Sequence, residues 1–218
     1  MSIRVFIADD HPLVREGLRF SIERRGKGIE IVGQASDGIQ VLKLAEKQAI
    51  DVFILDITMP LLNGLETARL LLRQHPAARI IILSLHGTRN IVEEAMQAGA
   101  RGYLTKETAS RSVVDAIREV SEGHFYLSPD IAHFMVESTL AGGARRNLAD
   151  RRLGALTGQE RIVVQLIAEG LTTKEIASKL SLANDTVRTH RKNLMAKLKV
   201  HKQTELVRIA LREGIIKP

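Results

Sequence analysis

The first half of the chain alternates short runs of apolar, β-branched residues with longer amphipathic stretches. The runs within residues 52–56 and 79–84 are almost wholly apolar, which is typical of central parallel strands covered on both faces. Glycine and proline separate the elements. Five strands and five helices are predicted in alternation, at Ile3–Ala8, Pro12–Glu23, Glu30–Ala35, Asp37–Gln48, Val52–Asp56, Asn63–His75, Arg79–Ser84, Thr88–Ala98, Gly102–Leu104 and Ala109–Glu122. This order predicts an α/β fold with a doubly wound, five-stranded parallel sheet, whose ligands gather at the carboxyl ends of the strands.

The pattern changes from Gly123 onward. A helix is predicted over Pro129–Leu140, and the small and basic segment Gly142–Arg146 that follows is typical of a linker. Beyond it apolar residues recur with helical spacing, and capping-box sequences begin at Thr157 and Thr172. Two more helices are predicted, over Asn184–Leu198 and Thr204–Glu213. The second part of the chain is therefore expected to be a small all-α domain of four helices.

Composition excludes several classes of protein. The 218 residues include no cysteine, which excludes disulfides, thiolate metal sites and thiol catalysis. No apolar run approaches the roughly 18 residues of a membrane helix. The first ten residues contain acidic side chains and predict a strand rather than a signal peptide. We expect a soluble, cytoplasmic protein without membrane association.

The net charge of +7 is unevenly distributed along the chain. Residues 1–122 contain 16 Lys and Arg and 16 Asp and Glu, whereas residues 123–218 contain 16 and 9. A basic excess confined to one segment is typical of a nucleic-acid partner. Charge alone is equally compatible with a solvated basic surface.

Three acidic side chains lie where predicted strands end. Asp9 and Asp10 close the first strand, and Asp56 closes the third. Carboxylates at neighbouring strand ends repel one another unless a hard divalent cation lies among them. Oxygen ligands beside a phosphoryl group indicate Mg²⁺. A single aspartate at a strand end is also a common helix N-cap, so the prediction depends on all three.

These acidic residues belong to a longer pattern of strand-end segments. In chain order the segments are Asp9-Asp10, Asp56-Ile57-Thr58-Met59-Pro60, Asn63-Gly64, Ile82-Leu83-Ser84 and Gly102-Tyr103-Leu104-Thr105-Lys106. The pattern covers residues 1–122 and resembles the receiver domain of two-component systems, which has a flavodoxin-like fold.

The resemblance implies that Asp56 is the phosphoacceptor. It also implies that Asp10, Asp56 and the backbone carbonyl of Thr58 ligate Mg²⁺, and that Asp9 acts largely through water. A carboxylate is a competent nucleophile toward phosphorus when a metal neutralises the developing charge.

By the same resemblance, Ser84 hydrogen-bonds the phosphoryl group, Lys106 pairs with it, and Tyr103 is the switch aromatic. A small hydroxyl and an ammonium are the minimal groups that recognise the new phosphoryl oxygens. The chain departs from many receivers at Glu107, where proline is common. Thr58 and His86 occupy positions that tune phosphorylation lifetime in receivers, and we expect His86 to be a solvated loop residue.

Phosphoaspartate phosphatases also combine an aspartate nucleophile with Mg²⁺. They carry a second aspartate two residues after the nucleophile, and Thr58 occupies that position here. We therefore expect a phosphoacceptor protein and not an enzyme, with at most slow autodephosphorylation.

The predicted helix over Asn184–Leu198 has an apolar stripe and a basic circumference. Val187, His190, Leu194 and Leu198 form the inward stripe, and the remaining positions carry several Arg and Lys residues. A helix that presents cations with few acids suits entry into the DNA major groove.

Three segments around this helix resemble the LuxR-type helix-turn-helix. They are Leu156–Glu160, Ile167–Ala177 and Thr186–Leu194, and the resemblance extends from Leu153 to Lys217. Ala183 stands where the family often has a serine N-cap, so Asn184 is an alternative cap. The resemblance implies groove contacts by Arg188, Thr189 and Lys192, and phosphate contacts by Lys174, His190, Lys199 and Lys202.

Together the two resemblances imply a response regulator of the NarL/FixJ class. The expected domains are a receiver over residues 1–122, a linker over 123–152 and a LuxR-type helix-turn-helix over 153–218. The implied partners are a sensor histidine kinase, double-stranded DNA, RNA polymerase and, on phosphorylation, a second copy of the chain. The alternative is a helix-turn-helix transcription regulator that acts independently of phosphorylation.

Overall fold

The computed structural model describes residues 2–85, 87–140 and 155–216. The chain divides into an N-terminal and a C-terminal compact unit. His86 and the predicted linker Gly142–Arg146 lie outside the described residues, as do Leu153 and Lys217. None of the helices in the described ranges is long and apolar enough to cross a membrane.

The N-terminal unit is built on a parallel sheet in the order β2-β1-β3-β4-β5-β6. The strands are β1 (Ile3–Ala8), β2 (Ile29–Ala35), β3 (Val52–Asp56), β4 (Arg79–Ser84), β5 (Gly102–Thr105) and β6 (Tyr126–Leu127). Every residue of β3 is buried, as its unbroken apolar run predicts. The order reverses beside β1, so the loops that follow β1 and β3 open on the same crevice.

Six helices accompany this sheet. They are α1 (Pro12–Arg25), α2 (Gly38–Ala45), α3 (Gly64–Gln74), α4 (Arg89–Gln97), α5 (Ala109–Glu122) and α6 (Pro129–Leu140). Two separate apolar clusters cover the two faces of the sheet, one with side chains from α2, α3 and α4 and the other with side chains from α1 and α5. The doubly wound α/β prediction is therefore confirmed.

The prediction of five strands is wrong by one, because the structure adds β6 at the edge of the sheet. Tyr126 and Leu127 pair with Gly102 and Tyr103 of β5. A two-residue strand is too short to show an alternating pattern in the sequence. Its conformation depends on the edge of β5 that it joins, and this edge exists only in the folded unit.

The C-terminal unit contains four helices within its described residues, as predicted. They are α7 (Gly158–Ala168), α8 (Thr173–Leu180), α9 (Asn184–Leu198) and α10 (Gln203–Arg212). Thr157 and Thr172 each form the predicted capping box, in which the hydroxyl accepts from the backbone N–H three residues later and the glutamate there accepts in return. Ala183 is the N-cap residue of α9 without a side-chain bond, and the alternative cap Asn184 is instead the first helical residue.

Candidate functional site

The carboxyl ends of β1 and β3 bring the predicted acidic residues together. One ligand atom from each of Asp9, Asp10, His11 and Asp56 lies within 4.8 Å of the others. Asp9 is 0% exposed and Asp56 is 1% exposed, whereas Asp10 is partly exposed. Of the three carboxylates, Asp10 is therefore the one most accessible to solvent at this edge of the sheet.

Lys106 follows β5 and directs its ammonium between the two buried carboxylates. Its Nζ lies 2.7 Å from Asp9 Oδ2 and 2.9 Å from Asp56 Oδ2, and the side chain is 5% exposed. The Lys106 backbone N–H donates to the carbonyl of Ser84 at 2.8 Å, which continues the pairing of β5 with β4 beyond the strand ends. One ammonium is thus shared by two buried carboxylates, and Asp10 adds a third carboxylate to the pocket.

His11 adjoins this pocket, although the sequence patterns assigned it no functional role. Its backbone N–H donates to Asp9 Oδ1 at 2.8 Å, and its Nδ1 lies 2.8 Å from Asp10 Oδ1. These contacts hold both carboxylates at the start of α1. The signal available in the sequence was the position of His11 immediately after the acidic pair.

The loop after Asp56 is shaped by two further predicted residues. Asn63 caps α3 by accepting from the backbone N–H of Glu66 at 2.9 Å. A Cβ placed on Gly64 would lie 2.1 Å from the backbone oxygen of Asp56. Only glycine allows this approach of the two backbone segments. The close approach keeps the loop that contains Thr58 folded back against the end of β3.

Tyr103 is buried beneath the pocket rather than turned to solvent. Its side chain is 0% exposed, and its hydroxyl shares a hydrogen bond with the side chain of Ser84. Burial raises the pKa of Tyr103 to about 12, against the opposing effect of the Ser84 hydrogen bond. The phenol is therefore neutral at physiological pH and remains a hydrogen-bonding group.

The donor set of the pocket fits a hard divalent cation. The atoms that converge include three carboxylate oxygens, and a single buried ammonium leaves their charge incompletely balanced. Oxygen donors of this kind suit Mg²⁺, whose ligands in proteins are one or two carboxylates, a carbonyl and water. Asp10 and Asp56 are the candidate carboxylate ligands, and the resemblance to receiver domains adds the Thr58 carbonyl.

Helix α9 presents a polar surface and a buried face, as its pattern predicts. Val187, Leu194 and Leu198 are buried, whereas His190 is half-buried and only partly belongs to the inward stripe. The predicted DNA contacts that are exposed are Lys174, Arg188, Thr189, Lys192, Lys199 and Lys202. Arg188 Nη1 lies 2.9 Å from Asp185 Oδ1, one turn earlier on the same helix.

A short turn joins α8 to α9. Only residues 181–183 separate the two helices, and Ser181 ends α8 in the left-handed conformation, with a φ of 54°. Two helices joined by three residues in this way form a helix-turn-helix. The second helix of such a motif is the one that enters the major groove.

An acidic pocket at the carboxyl edge of a doubly wound sheet, together with a separate helix-turn-helix unit, defines the architecture of a bacterial response regulator. The family model for the response regulator receiver domain matches residues 5–118. The model for bacterial regulatory proteins of the luxR family matches residues 154–210. The chain therefore belongs to the two-component response regulators of the NarL/FixJ class, with a receiver domain and a LuxR-type helix-turn-helix.

Curated relatives match along nearly the whole chain. Response regulator UvrY of Escherichia coli K12 is 36% identical over 213 residues, which are 98% of this chain and 95% of the relative. A nitrate/nitrite response regulator protein homolog of Haemophilus influenzae is 34% identical and covers 91% of both chains. Among solved structures, RcsB of Salmonella enterica serovar Typhimurium is 26% identical with a TM-score of 0.61, covering 96% of this chain and 98% of its own. That structure is bound to a promoter in the presence of the phosphomimetic BeF3⁻.

Proposed function

We propose that this chain is a DNA-binding transcription regulator that is controlled by phosphorylation of Asp56. The observation that carries the proposal is the position of Asp56 at the end of β3. There it is buried beside Asp9 and Asp10, with the Lys106 ammonium 2.9 Å from its carboxylate. A nucleophile, a cation and additional oxygen ligands are the parts that phosphoryl transfer to a carboxylate requires.

In this proposal, the phosphodonor is a phosphohistidine of a sensor histidine kinase. An Asp56 carboxylate oxygen forms a bond to phosphorus as the phosphorus–nitrogen bond breaks, and the imidazole leaves with the electron pair and takes a proton. Lys106 then pairs with the phosphoryl group, and the Ser84 hydroxyl hydrogen-bonds one of its oxygens. Tyr103 shares a hydrogen bond with Ser84, so movement of the Ser84 hydroxyl changes the hydrogen bonding of the phenol.

The proposed metal is Mg²⁺, held by Asp10, Asp56 and the Thr58 carbonyl, with Asp9 acting through water. When bound, it would neutralise the charge that accumulates on the phosphoryl and carboxylate oxygens. Lys106 already balances part of this charge within the chain itself.

The C-terminal unit is proposed to bind double-stranded DNA through α9. Arg188, Thr189 and Lys192 would enter the major groove, and the remaining predicted cations would contact phosphates. The relative RcsB, whose structure contains a promoter, supports this proposal. One recognition helix covers only a short half-site of DNA. We therefore propose that phosphorylation produces a homodimer, which binds two half-sites. The proposed homodimer acts in the cytoplasm, where it engages RNA polymerase.

We propose the domain boundaries predicted from sequence, with a receiver over residues 1–122, a linker over 123–152 and a helix-turn-helix over 153–218. The linker in this division includes β6 and α6, and Ile131 of α6 packs in the apolar core of the N-terminal unit. The linker therefore begins with a segment that is structurally continuous with the receiver.

The test is mass spectrometry of the whole protein after incubation with acetyl phosphate and Mg²⁺. We expect one phosphoryl adduct in the parent protein and in Asp115→Asn, a control in which an exposed aspartate of α5 is changed. Asp56→Asn keeps the side-chain volume but lacks the nucleophile, so it should fold and remain unmodified. A folded parent protein with no adduct would favour the alternative, a regulator that acts independently of phosphorylation.

A further inference from the structure

The first turn of α6 lies against both loops that carry phosphoryl-recognising residues. Ile131 is 3% exposed, and its Cδ1 lies 2.0 Å from the position of a Cβ built on Gly87, in the loop after Ser84. The backbone N–H of Ser128, just before α6, donates to the carbonyl of Tyr103 at 3.0 Å. The start of the helix is thus attached to the ends of both β4 and β5.

Asp130 makes the most direct of these contacts. The hydroxyl of Thr105 donates to Asp130 Oδ2 at 2.8 Å, and the Thr108 hydroxyl donates to Oδ1 at 3.4 Å. The two threonine hydroxyl oxygens are themselves 2.7 Å apart. One carboxylate therefore holds both ends of the four-residue turn from Thr105 to Thr108, and Lys106 lies inside this turn.

The charge of Asp130 suits this role. Burial raises its pKa, but hydrogen bonds from Ser128 and Thr105 outweigh burial and leave the pKa below its ordinary value. The carboxylate is therefore ionised at neutral pH, and hydrogen bonds to a charged acceptor are stronger than those between neutral groups.

We propose that Asp130 is a positioning residue that acts through Thr105 to hold the Lys106 ammonium in the phosphorylation pocket. Thr105 immediately precedes Lys106, whose backbone is fixed on its other side by the bond to the Ser84 carbonyl. Without the Asp130 contact, the bond from the Lys106 N–H to the Ser84 carbonyl still holds this turn, but the bond on the Thr105 side is lost. The ammonium then spends less time between Asp9 and Asp56, and its encounter with an incoming phosphoryl group becomes less frequent.

A change in the pocket should also affect the contacts of α6, because coupling between two sites is reciprocal. A phosphoryl group that draws Lys106 and Ser84 toward itself changes the surface on which the first turn of α6 rests. Asp130 and Ile131 thereby connect the pocket to the helix that leads toward the C-terminal unit along the chain.

Two measurements on the full-length protein test the proposal, which rests on Asp56 being the phosphoacceptor. The first is the rate of phosphorylation by acetyl phosphate with Mg²⁺. The second, made without donor or metal, is the rate at which a lysine-acylating reagent modifies Lys106, with exposed Lys43 as the internal reference. The variants are Asp130→Ala, Asp130→Asn and Thr105→Val, with Asp115→Ala as the matched control on α5.

We expect Asp130→Ala and Thr105→Val each to slow phosphorylation by about threefold to tenfold. This is less than the tenfold or more that the full loss of one charge-assisted hydrogen bond gives, because Asp130 acts on Lys106 only through Thr105. The double variant should be no slower than either single variant, because both remove the same contact. Lys106 should be acylated faster in both, while Lys43 is unchanged. Asp130→Asn keeps an acceptor oxygen and should restore part of the parental rate.

Parental rates of both phosphorylation and Lys106 acylation in folded Asp130→Ala would overturn the positioning role. Slower phosphorylation with unchanged acylation of Lys106 would also overturn it, since the effect would then bypass the ammonium. Failure of the proposed function is distinguishable, because in that case the parent protein itself takes up no phosphoryl group.

Discussion

Individual side chains determine how negative charge is balanced within the acidic pocket. Asp9 and Asp56 are both buried, and Lys106 lies within 3 Å of a carboxylate oxygen of each. Two buried carboxylates so close together would otherwise repel one another. Asp10 is the remaining acid, and its carboxylate contacts the imidazole of exposed His11.

Replacement of Asp10 is expected to stabilise the protein while weakening its metal site. Asp10→Asn removes one of three mutually repelling carboxylates, so the metal-free protein should gain about 0.5–1 kcal/mol in its free energy of unfolding. Mg²⁺ stabilises the parent protein because it binds only the folded pocket, and this gain should largely disappear in the variant. Urea unfolding with EDTA and with Mg²⁺ measures both effects. A variant that Mg²⁺ stabilises as much as the parent would remove Asp10 from the ligand set.

The exposed cations of α9 and its C-terminal end are expected to differ in what they recognise. Arg188→Ala should cost about 1–3 kcal/mol on the preferred site and relax specificity there if, as proposed, Arg188 enters the major groove from the exposed start of the helix. Lys199→Ala should weaken binding to all sequences and reduce the salt slope by about one. Lys199 has a left-handed φ of 54°, a conformation that costs alanine about as much as it costs lysine. Lys199→Ala should therefore have little effect on the stability of the fold.

Binding to specific and random duplexes over a salt series separates these roles. Lys27→Ala, which removes an exposed cation from the N-terminal unit, is the control and should leave both affinities unchanged. An equal loss on both duplexes in Arg188→Ala would reassign this residue to phosphate contact.

At the scale of helices and strands, the sequence predicted what local patterns encode. β1, β3, β4, α5 and α6 begin and end where their patterns predict, and the capping boxes start α7 and α8. The strand-end aspartates could be placed in one pocket because the carboxyl ends of parallel strands meet at one edge of the sheet, whereas the place of Lys106 followed from the resemblance to receiver domains. Contacts such as Asp130 with Thr105 link positions 25 residues apart through the packing of α6, and no local pattern contains them.

An ion pair joins two helices of the C-terminal unit. Lys197 Nζ of α9 lies 2.7 Å from Glu160 Oε2 of α7, and Glu160 also completes the capping box of Thr157. Burial raises the pKa of Glu160, but the bonds from Lys197 and Thr157 outweigh it and hold the pKa below its ordinary value. The pair therefore stabilises the unit when the carboxylate is ionised, and this contribution is lost as pH falls through the pKa of the folded state.

Glu160→Gln should destabilise the C-terminal unit by about 1–2 kcal/mol at neutral pH, since Lys197 is partly hydrated and loses little when unpaired. The difference between parent and variant should persist down to about pH 5 and shrink below it, as the pH falls through the lowered pKa of the parental carboxylate. Hydrogen exchange of peptides from α7, corrected for intrinsic rates, measures this difference. Glu213→Gln, at the end of α10, is the control, and a pH-independent difference would contradict the assignment.

At the scale of the whole molecule, the charge excess lies entirely in residues 123–218. A neutral receiver joined to a basic helix-turn-helix separates signal input from attraction to DNA. Charge attraction alone favours any duplex about equally. In the proposed function, a homodimer that pairs two half-sites would supply the additional specificity.

Phosphorylation is expected to raise both the fraction of dimer and the affinity for a specific duplex. The phosphoryl group adds about −1.5 to −2 charges to the pocket and biases the surface of the receiver. Light scattering and DNA binding, each with and without acetyl phosphate, test this expectation, and Asp56→Asn is the control that should not respond. Equal DNA affinity of the phosphorylated and unmodified protein would rule out the coupling.

The burial of Tyr103 has a practical consequence for following the pocket. The chain has no tryptophan and two tyrosines, so Tyr103 and Tyr126 dominate its ultraviolet emission. Tyr103 shares a hydrogen bond with Ser84, and a hydroxyl partner that turns toward a phosphoryl group leaves the phenol in a different environment. The intensity of tyrosine fluorescence should therefore change when the pocket is phosphorylated, without any added label. Tyr103→Phe is the control variant, because it leaves only the signal of Tyr126.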